Sequence, residues 1–189
     1  MLVKEGVEYF NPDEAAARIF ADIPSISQEE AQSVAWHEGK RLLERAIAER
    51  LDYAFETTLA GNTIPALLDQ ALSEQIEVRI WYVGLQTPEL HVARVRSRVA
   101  QGGHYISEER IRQRYARSIL NLIKLLPKLT EVRVYDNSKH TDLHSGVAPE
   151  PQLILHVAKG RIVNACDLTS APDWAKPIML TALKATRRA

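Results

Sequence analysis

Apolar positions recur along this chain with two different periods, and the places where the period switches mark the elements. Residues 7–10 read as a short extended stretch, stopped at Asn11-Pro12-Asp13, where proline removes a backbone donor. A helix through Ala15, Ile19 and Phe20 is expected next. Ser27, followed three residues later by Glu30, is a capping-box signature. It opens a long helix with Ala31, Val34, Ala35, Leu42 and Ala46 on its apolar face. Residues 53–56 read as a buried strand ending on a carboxylate. Gly61-Asn62 breaks the chain before a helix bearing Leu67, Leu68, Ala71 and Leu72. Residues 76–85 form a strand rich in β-branched and aromatic side chains. Pro88 starts a helix that stops at Gly102-Gly103, and Ser107 caps another with Ile111, Tyr115, Ile119 and Leu122 on its apolar stripe. Residues 131–135 are a strand ended by Asp136-Asn137-Ser138. Residues 152–157 and 161–163 suit a hairpin about Lys159-Gly160, and a short helix follows Pro172. Strands alternating with helices of this length predict an α/β domain with a mostly parallel sheet flanked by helices.

Composition narrows the class. A chain of 189 residues, 46% hydrophobic, can bury one core, so one domain is expected, with residues 151–189 adding a C-terminal hairpin and short helix to it. The formal net charge of zero argues against a polycation that coats nucleic acid. Cys166 is the one cysteine, which excludes an internal disulfide framework and fits a reducing compartment. No apolar run approaches the roughly 20 residues that span a bilayer, and the first residues do not read as a secretory signal. The expected setting is the cytoplasm, with no membrane partner.

The candidate chemistry begins with arginine. Arg94, Arg96 and Arg98 precede Gly102-Gly103-His104, and Arg110, Arg112, Arg114 and Arg117 follow it. Guanidinium groups bind phosphate oxygens bidentately, so this cluster suits phosphoryl recognition; it also suits a solvated helix face. Arg110, Arg114, Arg117 and Asn121 share one helical face. A Gly-Gly break could hinge a segment that carries arginines over a bound phosphate. Ligands of α/β sheets bind beyond the carboxyl ends of strands, and three strand ends here are polar: Asn11 with Asp13, Glu56-Thr57-Thr58, and Asp136-Asn137. Asp13 reads either as a helix cap or as a general base for a substrate hydroxyl. Glu56, Thr57 and Thr58 suit a hydroxyl-rich ligand, or a capped turn. Two patterns are set aside: His140, Asp142 and His144 lack a further metal ligand, and Gly39-Lys40 lies mid-helix without the glycine and hydroxyl of a phosphate loop. No metal site is expected.

Asn11-Pro12-Asp13-Glu14, Phe55-Glu56-Thr57-Thr58-Leu59, the run from Arg98 to His104, the run from Arg114 to Leu122 and Val134-Tyr135-Asp136-Asn137-Ser138 together resemble the zeta toxin family of P-loop kinases, and most of all its chromosomal, toxin-like ATPases. The resemblance covers about residues 7–138, so that residues 1–150 are expected to form the kinase core. It implies transfer of the γ-phosphoryl of ATP, with Mg2+, to a hydroxyl of a small-molecule acceptor, a UDP-linked amino sugar in the toxins. An antitoxin protein would be a partner. Asp13 matches the family's catalytic base. Glu56 and Thr58 match the strand-end pair that holds substrate, with Asn11 and Thr57 beside them. Arg98 matches an arginine that neutralises the transferring group, and Arg114 and Arg117 are candidates for a second. Gly102, Gly103, His104 and Arg110 would form a lid. The family's G-x-x-x-x-G-K-[ST] loop would precede Asn11, where this sequence has ten residues. The expectation is therefore an N-terminally truncated P-loop kinase fold, inactive in this form, whose whole gene product begins about 30 residues upstream. The rival reading is a non-catalytic remnant that binds a nucleotide or a partner protein. An RNA-binding module is disfavoured, because aromatic residues are only 6% and scarcely interleave the arginines.

Overall fold

The computed structural model describes residues 8–103, 105–139 and 150–186. The chain divides into two compact units, with the boundary after Thr58.

The first unit holds β1 (Glu8–Phe10), α1 (Pro12–Asp22), α2 (Gln28–Glu49) and β2 (Tyr53–Phe55). β1 and β2 pair in parallel, Phe10 opposite Phe55. The expected capping box opens α2: the Ser27 side chain accepts from Glu30 N, and the Glu30 carboxylate accepts from Ser27 N at 2.9 Å. The helix ends at Arg50, whose φ of 53° is left-handed. Ala15, Ala16 and Ala35 form a core against which Phe10 and Ile19 pack. The buried face of α2 runs through Ala31, Ala35, Leu43, Ala46 and Ile47. Val34, expected on that face, is exposed. Gly39 explains the close approach of β1, since a Cβ there would lie 2.7 Å from Cε1 of Phe10. Gly39-Lys40 thus serves packing in mid-helix.

The second unit holds α3 (Thr63–Ser73), β3 (Arg79–Gly84), α4 (Pro88–Ala100), α5 (Glu108–Leu125), a 3-10 turn (Leu126–Lys128), β4 (Glu131–Asp136), β5 (Gln152–Ala158), β6 (Arg161–Ala165) and α6 (Lys176–Thr186). Its sheet has the order β3-β4-β5-β6. β3 and β4 are parallel, but β4–β5 and β5–β6 are antiparallel. The expected mostly parallel sheet is therefore corrected to a mixed one. The reason is local at β5–β6, where Lys159 (φ 49°) and Gly160 (φ 70°) make a two-residue turn that returns the chain alongside itself. β5 lies against β4 and β6 against β5, so residues 152–165 extend this sheet. Leu122, Val132, Val134, Ile154, Leu155 and Ile178 are its largest fully buried side chains. A register shift at Val134/Tyr135 lets the neighbours Ile154 and Leu155 both be buried. On α5 the buried positions are Ile111, Ser118, Leu122 and Leu125, so the stripe is rotated from the expected one. The protein is of mixed α/β class. Among the described residues no helix is long and apolar enough to cross a membrane.

Candidate functional site

In the first unit, parallel pairing brings the carboxyl ends of β1 and β2 together, and Glu56 N donates to Phe10 O at 3.0 Å. Asn11, Asp13, Glu56, Thr57 and Thr58 all follow these ends. The cap of α1 is Asn11: its Oδ1 accepts from Asp13 N at 2.9 Å and from Glu14 N at 3.2 Å. Of the two roles read for Asp13, capping thus falls to its neighbour. The Asp13 side chain is exposed and makes no hydrogen bond or ion pair among the described residues. Its place in the first turn sets the carboxylate at the positive end of the helix. Glu56 is engaged, accepting from the Tyr9 hydroxyl. That bond, then burial, raises the Tyr9 pKa above its ordinary value. Tyr9 was not singled out from sequence. Its position two residues before Asn11, on an alternating strand, was the available signal.

In the second unit, the arginine cluster separates into engaged and open members. Arg94 Nη2 donates to Asn137 O at 2.6 Å and to Lys139 O at 3.3 Å, tying α4 to the end of β4. Arg96 pairs with Glu108, and Arg112 with Glu89. Arg110, Arg114 and Arg117 are exposed, and their side chains make no hydrogen bond or ion pair among the described residues. They form the expected face, and Asn121 closes it by donating to Leu59 O at 2.8 Å and Gly61 O at 2.9 Å. Gly102 and Gly103 terminate α4. Gly102 N donates to Val99 O at 3.0 Å and Gly103 N to Arg98 O at 2.9 Å, which is a complete Schellman cap. Gly102 needs its φ of 88°, and Gly103 needs space, because a Cβ would lie 2.6 Å from Arg98 Cγ. His104 lies outside the described residues, as do His140, Asp142 and His144.

The third polar strand end is closed. Asp136 Oδ1 accepts from Ser138 Oγ at 2.5 Å and from Trp174 Nε1 at 3.1 Å. Ser138 Oγ in turn accepts from Gln86 N at 2.7 Å. The Tyr115 hydroxyl donates to Gln86 O at 2.9 Å, and His91 meets the Tyr115 ring edge-on. Burial, and then Arg94, hold the His91 pKa below its ordinary value. Asp136 and its neighbours therefore latch β3, β4 and the approach to α6.

Fold and geometry define a mixed α/β protein with, among the described residues, an unengaged carboxylate past the parallel strand pair of the first unit and an open arginine face on α5 of the second. Over 70 residues the chain is 34% identical to an uncharacterized protein of Haemophilus influenzae, a match covering 37% of the chain. The chain spans about half the length of that curated relative, 50% of it. No family model matches the chain. No solved structure matches it either.

Proposed function

We propose that the chain carries the acceptor-binding and charge-neutralising residues of a zeta-toxin-like phosphotransferase, which moves the terminal phosphoryl group of ATP to a hydroxyl of a small polar acceptor such as a UDP-linked amino sugar. The observation that carries the reading is the Asp13 carboxylate, exposed and unengaged among the described residues, at the same sheet end as Glu56. With Asn11 as cap, Asp13 is left to take the proton of an attacking hydroxyl. Glu56, Thr57 and Thr58 orient the acceptor through its hydroxyls. Within the second unit, the face of Arg110, Arg114 and Arg117 suits phosphate oxygens by itself.

The triphosphate of ATP needs a cradle of backbone amides and a lysine. The sequence holds no G-x-x-x-x-G-K-[ST], and the amides about Gly39-Lys40 lie inside α2. The residues present do not fit that group.

The test is calorimetric titration of the chain with UDP-N-acetylglucosamine. We expect saturable binding that Glu56→Gln weakens about tenfold, the worth of one hydrogen bond to a charged group. Asp13→Asn should leave binding nearly unchanged. Absence of binding, or indifference to Glu56→Gln, would remove the acceptor role.

A further inference from the structure

β3 ends the four-stranded sheet, and among the described residues its far side pairs with no strand. The neighbouring strand fixes which backbone groups face outward. Val78 O accepts from Thr130 N at 3.0 Å, and Gly84 O accepts from Asn137 N at 2.9 Å. Carbonyl directions alternate along a strand, so residues 78, 80, 82 and 84 bond toward β4. Arg79, Trp81 and Val83 turn their N–H and C=O groups to the open side. Their side chains share the uncovered face, with Trp81 40% and Val83 53% exposed. The Arg133 guanidinium lies 5.7 Å from the Trp81 ring centroid and holds the indole in place. The opposite edge is protected: a register shift at His156/Val157 disrupts the pairing of β6, which also carries Arg161 and Asn164. β3 has neither a shift nor a proline.

We propose that β3 is a self-association edge, on which two copies of this chain pair antiparallel about a two-fold axis at Trp81. Parity alone sets the register. Trp81 stands opposite Trp81 of the second copy, and Arg79 opposite Val83 of the second copy, so every outward N–H and C=O of the three residues finds a partner. The two exposed indoles become neighbours on one face. Charge favours the same occupant. Arg79 is paired with Glu77 and lies 3.8 Å from Glu131, and no like charge faces it across the axis. The chain's formal net charge is zero, so two copies do not repel at long range. The interface is isologous and closes as a dimer.

Sedimentation velocity on the whole chain, from micromolar to submillimolar, should show the mass rising from one chain to two. Val83→Pro deletes one outward N–H and spares the ladder to β4. Val83→Lys places a charge opposite Arg79. Both variants should stay at one chain, with far-UV circular dichroism and melting close to the parent. Trp81→Cys in a Cys166→Ser background should crosslink copies under mild oxidation, since hydrogen-bonded antiparallel partners lie about 5.5 Å apart at Cα, within disulfide reach. A single-chain mass at every concentration would overturn the proposal and leave the edge to a different polypeptide. So would a dimer that survives both Val83 variants and forms no crosslink.

Discussion

Gly84 and Trp174 show how one hydrogen atom can govern a whole contact. A Cβ on Gly84 would sit 2.4 Å from the Trp174 ring, which is itself buried and bonded to Asp136. Gly84→Ala should therefore destabilise the chain by about 1–3 kcal/mol, the range for overpacking a filled site. Denaturant melts measure it, and an unchanged midpoint would contradict the packing described. Capping gives a second contrast at this scale. Asn11→Ala should cost about 1 kcal/mol, because two amides of α1 lose their acceptor. Asp13→Ala should cost much less, since the exposed Asp13 carboxylate has no bond among the described residues. Equal losses in the two melts would return Asp13 to a structural role.

Elements are tied together by groups whose titration has a definite sign. On the open face of β3–β4–β5, burial would raise the Glu131 pKa, but hydrogen bonds from His156 and Arg133 outweigh it and lower the value. A carboxyl depressed in the fold contributes stability present above its ordinary value near 4.5 and lost as pH falls through the lower folded value. His91 between α4 and α5 has the same sign for another reason. Burial disfavours its charged form, so the unfolded chain takes the proton first. Its contribution is present above the ordinary value near 6.5 and is lost as pH falls through the folded value. The melting temperature should thus decline in two stages on acidification. His91→Gln should flatten the upper stage alone, and a profile insensitive to that change would refute the assignment. The arginines belong to the same scale. Arg96 and Arg112 brace α4 against α5 and Arg94 ties α4 to the end of β4, whereas the Arg110, Arg114 and Arg117 side chains stay unengaged among the described residues.

At the scale of the whole molecule the two units differ in what they bury. The cluster about α1 and α2 is built of Ala15, Ala16 and Ala35, small side chains that remove little apolar surface from water. The second unit buries Leu122, Ile154, Leu155 and Ile178 completely. Amide exchange should accordingly be faster through α1 and the first half of α2 than through β4 and β5. Equal protection in the two units, read by exchange mass spectrometry, would show that they open as one.

The sequence by itself determined the helices, the starts of the two opened by Ser27 and Ser107, and the approximate strands. Ser27 and Ser107 cap helices because a cap and the amides it satisfies lie within three residues of each other. The strand expected at 76–85 narrows to Arg79–Gly84, and the hairpin forms about Lys159-Gly160, again from neighbours in sequence. The strand-end polar residues Asn11, Asp13 and Glu56 were legible for the same reason. Only the tertiary structure decided which polar groups stay open. Asp136 looked like Asp13 in sequence, yet it is closed by Trp174, 38 residues further along. Seven arginines looked alike until Glu89 and Glu108 engaged two of them. The sheet became mixed when β5 settled against β4. A local signal is carried by residues a turn apart, whereas each of these outcomes depends on a partner whose distance along the chain leaves no periodic trace.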